Sequence, residues 1–168
     1  MDASDYLAKT YELKSLTSNG ATDKALAQFS QITGLWEPSL EKGNIPRRVD
    51  LLFQGFVGWH ARMIMSRLPV CGDLEFRIIG NDIADMFGHT LQTGDRFSSL
   101  PHVAFEDYAE YFKAIKSGGT YGRYSGIIPF EGRAHRTFDV LDLPAADEEG
   151  NLAFLYSFFL MGPRRRRA

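Results

Sequence analysis

One cysteine among 168 residues rules out an intramolecular disulfide, so the packed core must hold the fold together. Long apolar runs are missing as well. The longest, Leu152 to Met161, contains Ser157 and falls well short of the roughly 18 residues that nominate a membrane-spanning helix. The start, MDASDYLAKT, has neither the basic end nor the apolar stretch of a secretory leader, so the expected compartment is the cytoplasm. There is no excess of charge of one sign: 19 Lys and Arg face 21 Asp and Glu, and a net charge of -2 gives no general attraction to nucleic acid. Catalytic and metal-binding spacings are absent too. His60, His89, His102 and His135 are scattered without His-x-x-x-His, and Gly-x-Ser-x-Gly and the Gly-x-x-x-x-Gly-Lys-Ser/Thr phosphate loop do not occur. No metal site, catalytic nucleophile or ATP-using activity is expected.

What the chain does have is apolar and aromatic material, 44% hydrophobic residues with 13 Phe, 7 Tyr and 2 Trp. A domain of this length buries roughly 68 to 70% of its unfolded surface, enough for one sizeable core. Residues 1–40 carry helical stripes, first Tyr6, Leu7 and Tyr11, then, after Ser18-Asn19-Gly20, Leu26, Phe29 and Ile32; this predicts two helices, the second interrupted at Pro38. A helical extension over residues 1–44 should therefore precede a main domain over 45–162, with a basic tail at 163–168. Ala61 to Arg67 and Leu74 to Ile79 read as a hairpin, and Asn81 to Leu100 as irregular with short helical pieces. Phe105, Tyr108, Ala109, Phe112 and Ile115 predict a longer helix, with acids early, lysines late and Gly118-Gly119 after it. Three strands in a meander follow, near Tyr121–Pro129, Arg133–Leu143 and Asn151–Met161. The last, LAFLYSFFLM, is apolar on both alternating faces and so should be central, with the N-terminal helices covering one face.

Several blocks in this order carry a resemblance. Leu35-Trp36-Glu37, Ile45-Pro46-Arg47-Arg48-Val49-Asp50, Phe76-Arg77-Ile78-Ile79-Gly80-Asn81, Phe87-Gly88-His89-Thr90-Leu91-Gln92-Thr93-Gly94 and Leu141-Asp142-Leu143-Pro144 resemble successive blocks of the PAS domain family common in alphaproteobacteria, from about Leu26 to Met161. In that family the block around Arg77 more usually continues Gly-Thr, and Asn81 here takes the Thr place. The resemblance implies an α+β fold: a five-stranded antiparallel sheet with flanking short helices and one longer helix, enclosing a pocket or a packed core. It also implies dimer or partner contacts through the outer sheet face. It names no ligand, since PAS domains bind haem, flavin, small metabolites or nothing. A flavin adduct needs a cysteine among the short helices, whereas Cys71 precedes the second strand; a proximal haem histidine is missing from Phe105 to Lys116. Both cofactors are disfavoured.

Of the 22 aromatic residues, 12 lie between Phe105 and Phe159, around the space such a fold would enclose. Phe76, Met86, Tyr108, Phe112, Tyr124, Phe138 and Tyr156 are the candidate ligand-binding walls, with the tyrosine hydroxyls as polar anchors. Leu26, Phe29 and Phe159 are the candidate interface residues of a homodimer. Arg164 to Arg167 form a basic tail, without which the balance falls to 15 basic against 21 acidic residues; a solvated end is expected there. No kinase, cyclase or DNA-binding module fits in the residues outside the main domain, so the expected function is that of a stand-alone sensory or regulatory protein signalling in trans. The alternatives are a ligand-free PAS adaptor and a small cone-shaped α+β isomerase or dehydratase, for which His135 and Asp139 would be the acid–base candidates.

Overall fold

The computed structural model describes residues 11–15, 24–68, 73–83, 91–99, 105–116, 119–127 and 137–162. Six strands form one antiparallel sheet: β1 (Tyr11–Ser15), β2 (Met63–Arg67), β3 (Glu75–Ile79), β4 (Thr120–Ile127), β5 (Thr137–Ala146) and β6 (Leu152–Met161), in the spatial order β1-β4-β5-β6-β2-β3. The five expected strands are all present, β2 and β3 as the hairpin pair and β4, β5 and β6 as the meander. The α+β description with a five-stranded antiparallel sheet and one longer helix therefore holds, with β1 added at one edge. That strand corrects the first of the two expected helices. Tyr11 has helical spacing to Tyr6 and Leu7, but the exposed backbone edge of β4 offers a full ladder, Tyr11 opposite Tyr124 through Ser15 opposite Thr120, and tertiary pairing overrides a weak local preference.

β6 lies between β5 and β2, inside the sheet, as its two apolar faces require. Alternation along the strands divides the sheet into two faces. Met63, Met65, Leu141, Leu143, Tyr156 and Phe158 point to one, where Leu26, Phe29, Ile32 and Trp36 cover them. These last four come from a 3-10 turn (Lys24–Phe29) and helix α1 (Ser30–Glu41). Helix α1 runs through Pro38 rather than stopping there. The carbonyl deprived of its partner by Pro38 is that of Gly34, which is exposed and can turn to water, so the usual penalty is relieved.

The opposite face carries Ile64, Phe76, Val140, Leu155 and Phe159 and is covered by helix α2 (Phe105–Lys116) and by residues 91–99. Among the described side chains of α2, Tyr111, Phe112 and Ile115 are buried. Gly119, at φ +75°, ends the connection to β4 in the left-handed conformation that glycine adopts at little cost. Residues 91–99 reach the sheet because they bond to the free edge of β3. The Phe76 N–H donates to the Asp95 carbonyl, the Gly94 N–H to that of Phe76 and the Phe97 N–H to that of Leu74, at 2.7–2.9 Å. Among the described residues no helix is long and apolar enough to cross a membrane.

Candidate functional site

Under α2, the sheet lines a partly open cavity of about 30 Å³. Ile64 and Ser66 of β2, Phe76 of β3, Asp142 of β5 and Ser157 and Phe159 of β6 form its floor; Leu74, Leu91, Phe97, Phe112 and Tyr124 close it. The lining is mostly apolar, and its polar groups lie on neighbouring strands. Ser157 stands opposite both Asp142 and Ile64 in the ladders, and Ser66 is two residues along β2 from Ile64.

Asp142 is the centre of the polar floor. It is 1% exposed and its carboxylate accepts one hydrogen bond from the Tyr111 hydroxyl, at 2.6 Å, and another from the Ser157 hydroxyl. Burial pushes its carboxyl up to about 6, because a charged group loses its hydration there, while the two hydroxyl donors pull in the opposite direction. Among the described residues no Lys, Arg or His lines the cavity. Tyr111 reaches Asp142 only because the residue beside it is glycine: a Cβ on Gly122 would sit 2.0 Å from the tyrosine hydroxyl and 2.3 Å from its ring carbon. Gly122 is the β4 neighbour of Asp142 in the ladder, so its missing side chain makes the channel through which the tyrosine enters.

Ser66 completes the floor. It is fully buried, and its hydroxyl has no hydrogen-bond partner, the only such buried side-chain atom among the described residues. The ladder between β2 and β3 shifts register between Met65 and Ser66, a bulge of the kind that re-aims side chains beside functional sites.

The candidate walls expected from the sequence divide between this cavity and other places. Phe76, Phe112 and Tyr124 line it, and Phe138 packs against Tyr124 and Phe159 beside it. Tyr156 is a correction. It faces the opposite side of the sheet, against Trp36 and Phe56 at ring separations of 5.5 Å, because its neighbours Leu155 and Ser157 take the cavity side. Phe159 is the reverse correction: it lines the cavity and is 4% exposed, so it is not on an outer face. Leu26 and Phe29, at 3% and 1% exposed, are consumed by the chain's own core and offer no surface to a second copy. Met86 and the side chain of Tyr108 lie outside the described residues, as do His135, Cys71 and the Arg164 to Arg167 tail. Asp139 accepts a hydrogen bond from Ser125 on the neighbouring strand.

Sequence reasoning overlooked Asp142, Ser66, Ser157, Tyr111 and Gly122 as site residues. A signal existed for Ser66, Asp142 and Ser157: single polar positions among apolar neighbours in a strand, as in Met63-Ile64-Met65-Ser66. Such a residue must find a partner or a ligand.

A second hollow, of about 620 Å³, lies open on the surface between Lys42, Arg47, Asp50 and Glu148. Its charges are of both signs, and Arg47 is already bound to Asp50 by two hydrogen bonds of 2.9 and 3.1 Å, which hold the Asp50 carboxyl below its usual range. It lacks the buried, unpartnered groups of the cavity under α2. Among the described residues no three His, Cys, Asp or Glu side chains gather as metal ligands. Comparison of the chain with models of known families, with curated proteins and with solved structures gives no match.

Proposed function

We propose that this chain is a PAS-type sensory or regulatory protein that receives a small ligand in the cavity under α2 and signals through contacts with another chain. One observation carries the reading. An otherwise apolar cavity under a cover of one helix and one loop has a buried carboxylate and an unpartnered serine hydroxyl in its floor, and unpaired buried polar groups cost stability unless something uses them. Ligand occupancy can bias the protein only through different affinities for two arrangements. Here α2 is the element positioned to differ, since Tyr111 ties it directly to the cavity floor. Homodimerisation belongs to the same proposal, but not through the residues first expected. Among the described residues the exposed large apolar side chains are Val49, Leu52, Phe53 and Val57, at 45, 61, 59 and 64%, with Ile78 at 37%, and the first four are close together in the chain as a surface to meet a partner.

Native mass spectrometry of protein purified gently from its own host, with an absorbance spectrum of the same sample, tests the input. A retained small molecule supports the sensor reading. A dimer that carries nothing, and whose stability no small molecule changes, favours the ligand-free adaptor instead.

The enzyme reading keeps one observation in its favour, a buried carboxyl held at about 6, a value suited to proton abstraction near neutrality. Both of its oxygens, however, already accept hydroxyl hydrogen bonds. Turnover of a carbonyl acid would have to vanish in Asp142→Asn for that reading to displace the sensor.

A further inference from the structure

The cavity floor also indicates what kind of group it takes. Asp142 is a buried carboxylate whose described partners are two neutral hydroxyls, with no cationic side chain among the described residues lining the cavity. Neutral donors compensate a buried charge only in part, whereas a cation placed beside it repays the lost hydration far better. A carboxylate has about four acceptor positions, so two remain after Tyr111 and Ser157 are served. Ser66 supplies a further acceptor whose lone pairs no protein group uses. The floor therefore has more open acceptor positions, on Asp142 and Ser66, than the single unused donor that the Ser66 hydroxyl adds.

Size narrows the class. A water needs about 10–15 Å³ on this measure of cavity volume, so roughly two heavy atoms fit. The volume itself is about 30 Å³. The walls around those atoms are the apolar side chains of Ile64, Phe76, Phe112 and Phe159. We propose that the cavity floor binds a compact primary ammonium group, of methylammonium size, held between the Asp142 carboxylate and the Ser66 hydroxyl. An ammonium carries three N–H donors for the open acceptor positions on Asp142 and Ser66, and its carbon meets the apolar walls. The inference rests on the sensor reading and specifies its ligand class.

The test uses the full chain and methylammonium chloride as the probe, with thermal unfolding and calorimetric titration as readouts. Sodium chloride at equal ionic strength controls for screening, and methanol is the uncharged analogue of the same size. Methylammonium should raise the unfolding temperature in a saturable manner while the two controls do not. Affinity should fall about tenfold or more in Asp142→Asn, the loss expected for one charged hydrogen bond, and by a smaller factor in Ser66→Ala. Should Asp142→Asn fail to fold, the wild-type protein decides: binding must weaken between about pH 7.5 and about pH 5 as the carboxylate takes up its proton. Stabilisation equal to that by sodium chloride, or binding unchanged in Asp142→Asn or across that pH range, overturns the proposal. Xenon separates this failure from failure of the sensor reading. If xenon enters the cavity and methylammonium does not, the pocket stands and the cation class falls; if neither binds, both fall.

Discussion

At the scale of single residues, Asp142 carries the sharpest expectation. Its ordinary value of 3.8 rises to about 6 in the fold because burial disfavours the charge. The folded protein thus holds the proton more tightly than the unfolded chain. The resulting stabilisation is complete below about pH 4 and is lost as pH rises through about 6, an effect of about 3 kcal/mol. Urea unfolding of the wild type and Asp142→Asn across this window should show the difference between them shifting by that amount in favour of the variant as pH rises; a constant difference would contradict the burial argument. Gly122 offers a second test. In Gly122→Ala the new methyl must displace the Tyr111 ring, from which it would stand only 2.0–2.5 Å. Overpacking of this kind costs about 1–3 kcal/mol, and loss of the donor to Asp142 adds to it. Chemical denaturation gives the cost, and the tyrosine hydroxyl resonance in NMR reports whether the bond to Asp142 survives. Gly122 could not be placed from the sequence as part of a site, because only the ladder brings it opposite Asp142.

At the scale of elements, sequence blocks far apart along the chain touch one another. The Trp36 indole N–H donates to the Pro144 carbonyl at 2.8 Å, joining the first block to the last. The Ala146 N–H donates to Pro46, at 2.9 Å, so the second block docks onto the end of β5. The Thr93 hydroxyl donates to Arg77 while Gly94 bonds to Phe76, joining the third and fourth. Trp36 is also edge-on to Tyr156 and Phe158, so α1 is fastened to the sheet by both a hydrogen bond and packing. Trp36→Phe keeps a ring in place but orphans the Pro144 carbonyl, an expected loss of about 1–3 kcal/mol with the sheet intact by circular dichroism. No loss would mean that water replaces the indole. Pro144 itself lies within β5 without breaking it because β4 pairs with that strand only as far as Asp142. Strand positions and the α2 stripe were legible from periodicity. Strand β1 was not, since a five-residue segment next to a helical stripe cannot report the sheet edge waiting for it.

At the scale of the whole molecule, both sheet faces are covered by the chain itself, which changes where a partner can bind. Phe29→Asp should unfold the protein rather than dissociate a dimer, because Phe29 is stacked on Trp59, at 5.6 Å, inside the core. The double variant Leu52→Ser with Val57→Ser, at exposed positions, should keep the unfolding temperature within a few degrees while shifting sedimentation toward monomer. A variant pair that leaves self-association untouched would remove this surface from the interface.

What the sequence determined by itself was five of the six strands, the α2 helix and the burial of β6 inside the sheet. Those follow from composition along short windows: an apolar strand with no polar face cannot lie at an edge exposed to water. It could not determine which of two alternating rows faces the cavity. In LAFLYSFFLM both rows are apolar, so the period of two gives the alternation without its phase, and Tyr156 and Phe159 exchanged their expected roles. The tertiary structure set that phase through the partners on each side, Trp36 for one row and α2 for the other. The same packing drew Ser66, Asp142, Ser157 and Tyr111 together from three strands and a helix, a cluster that only three-dimensional contact can assemble.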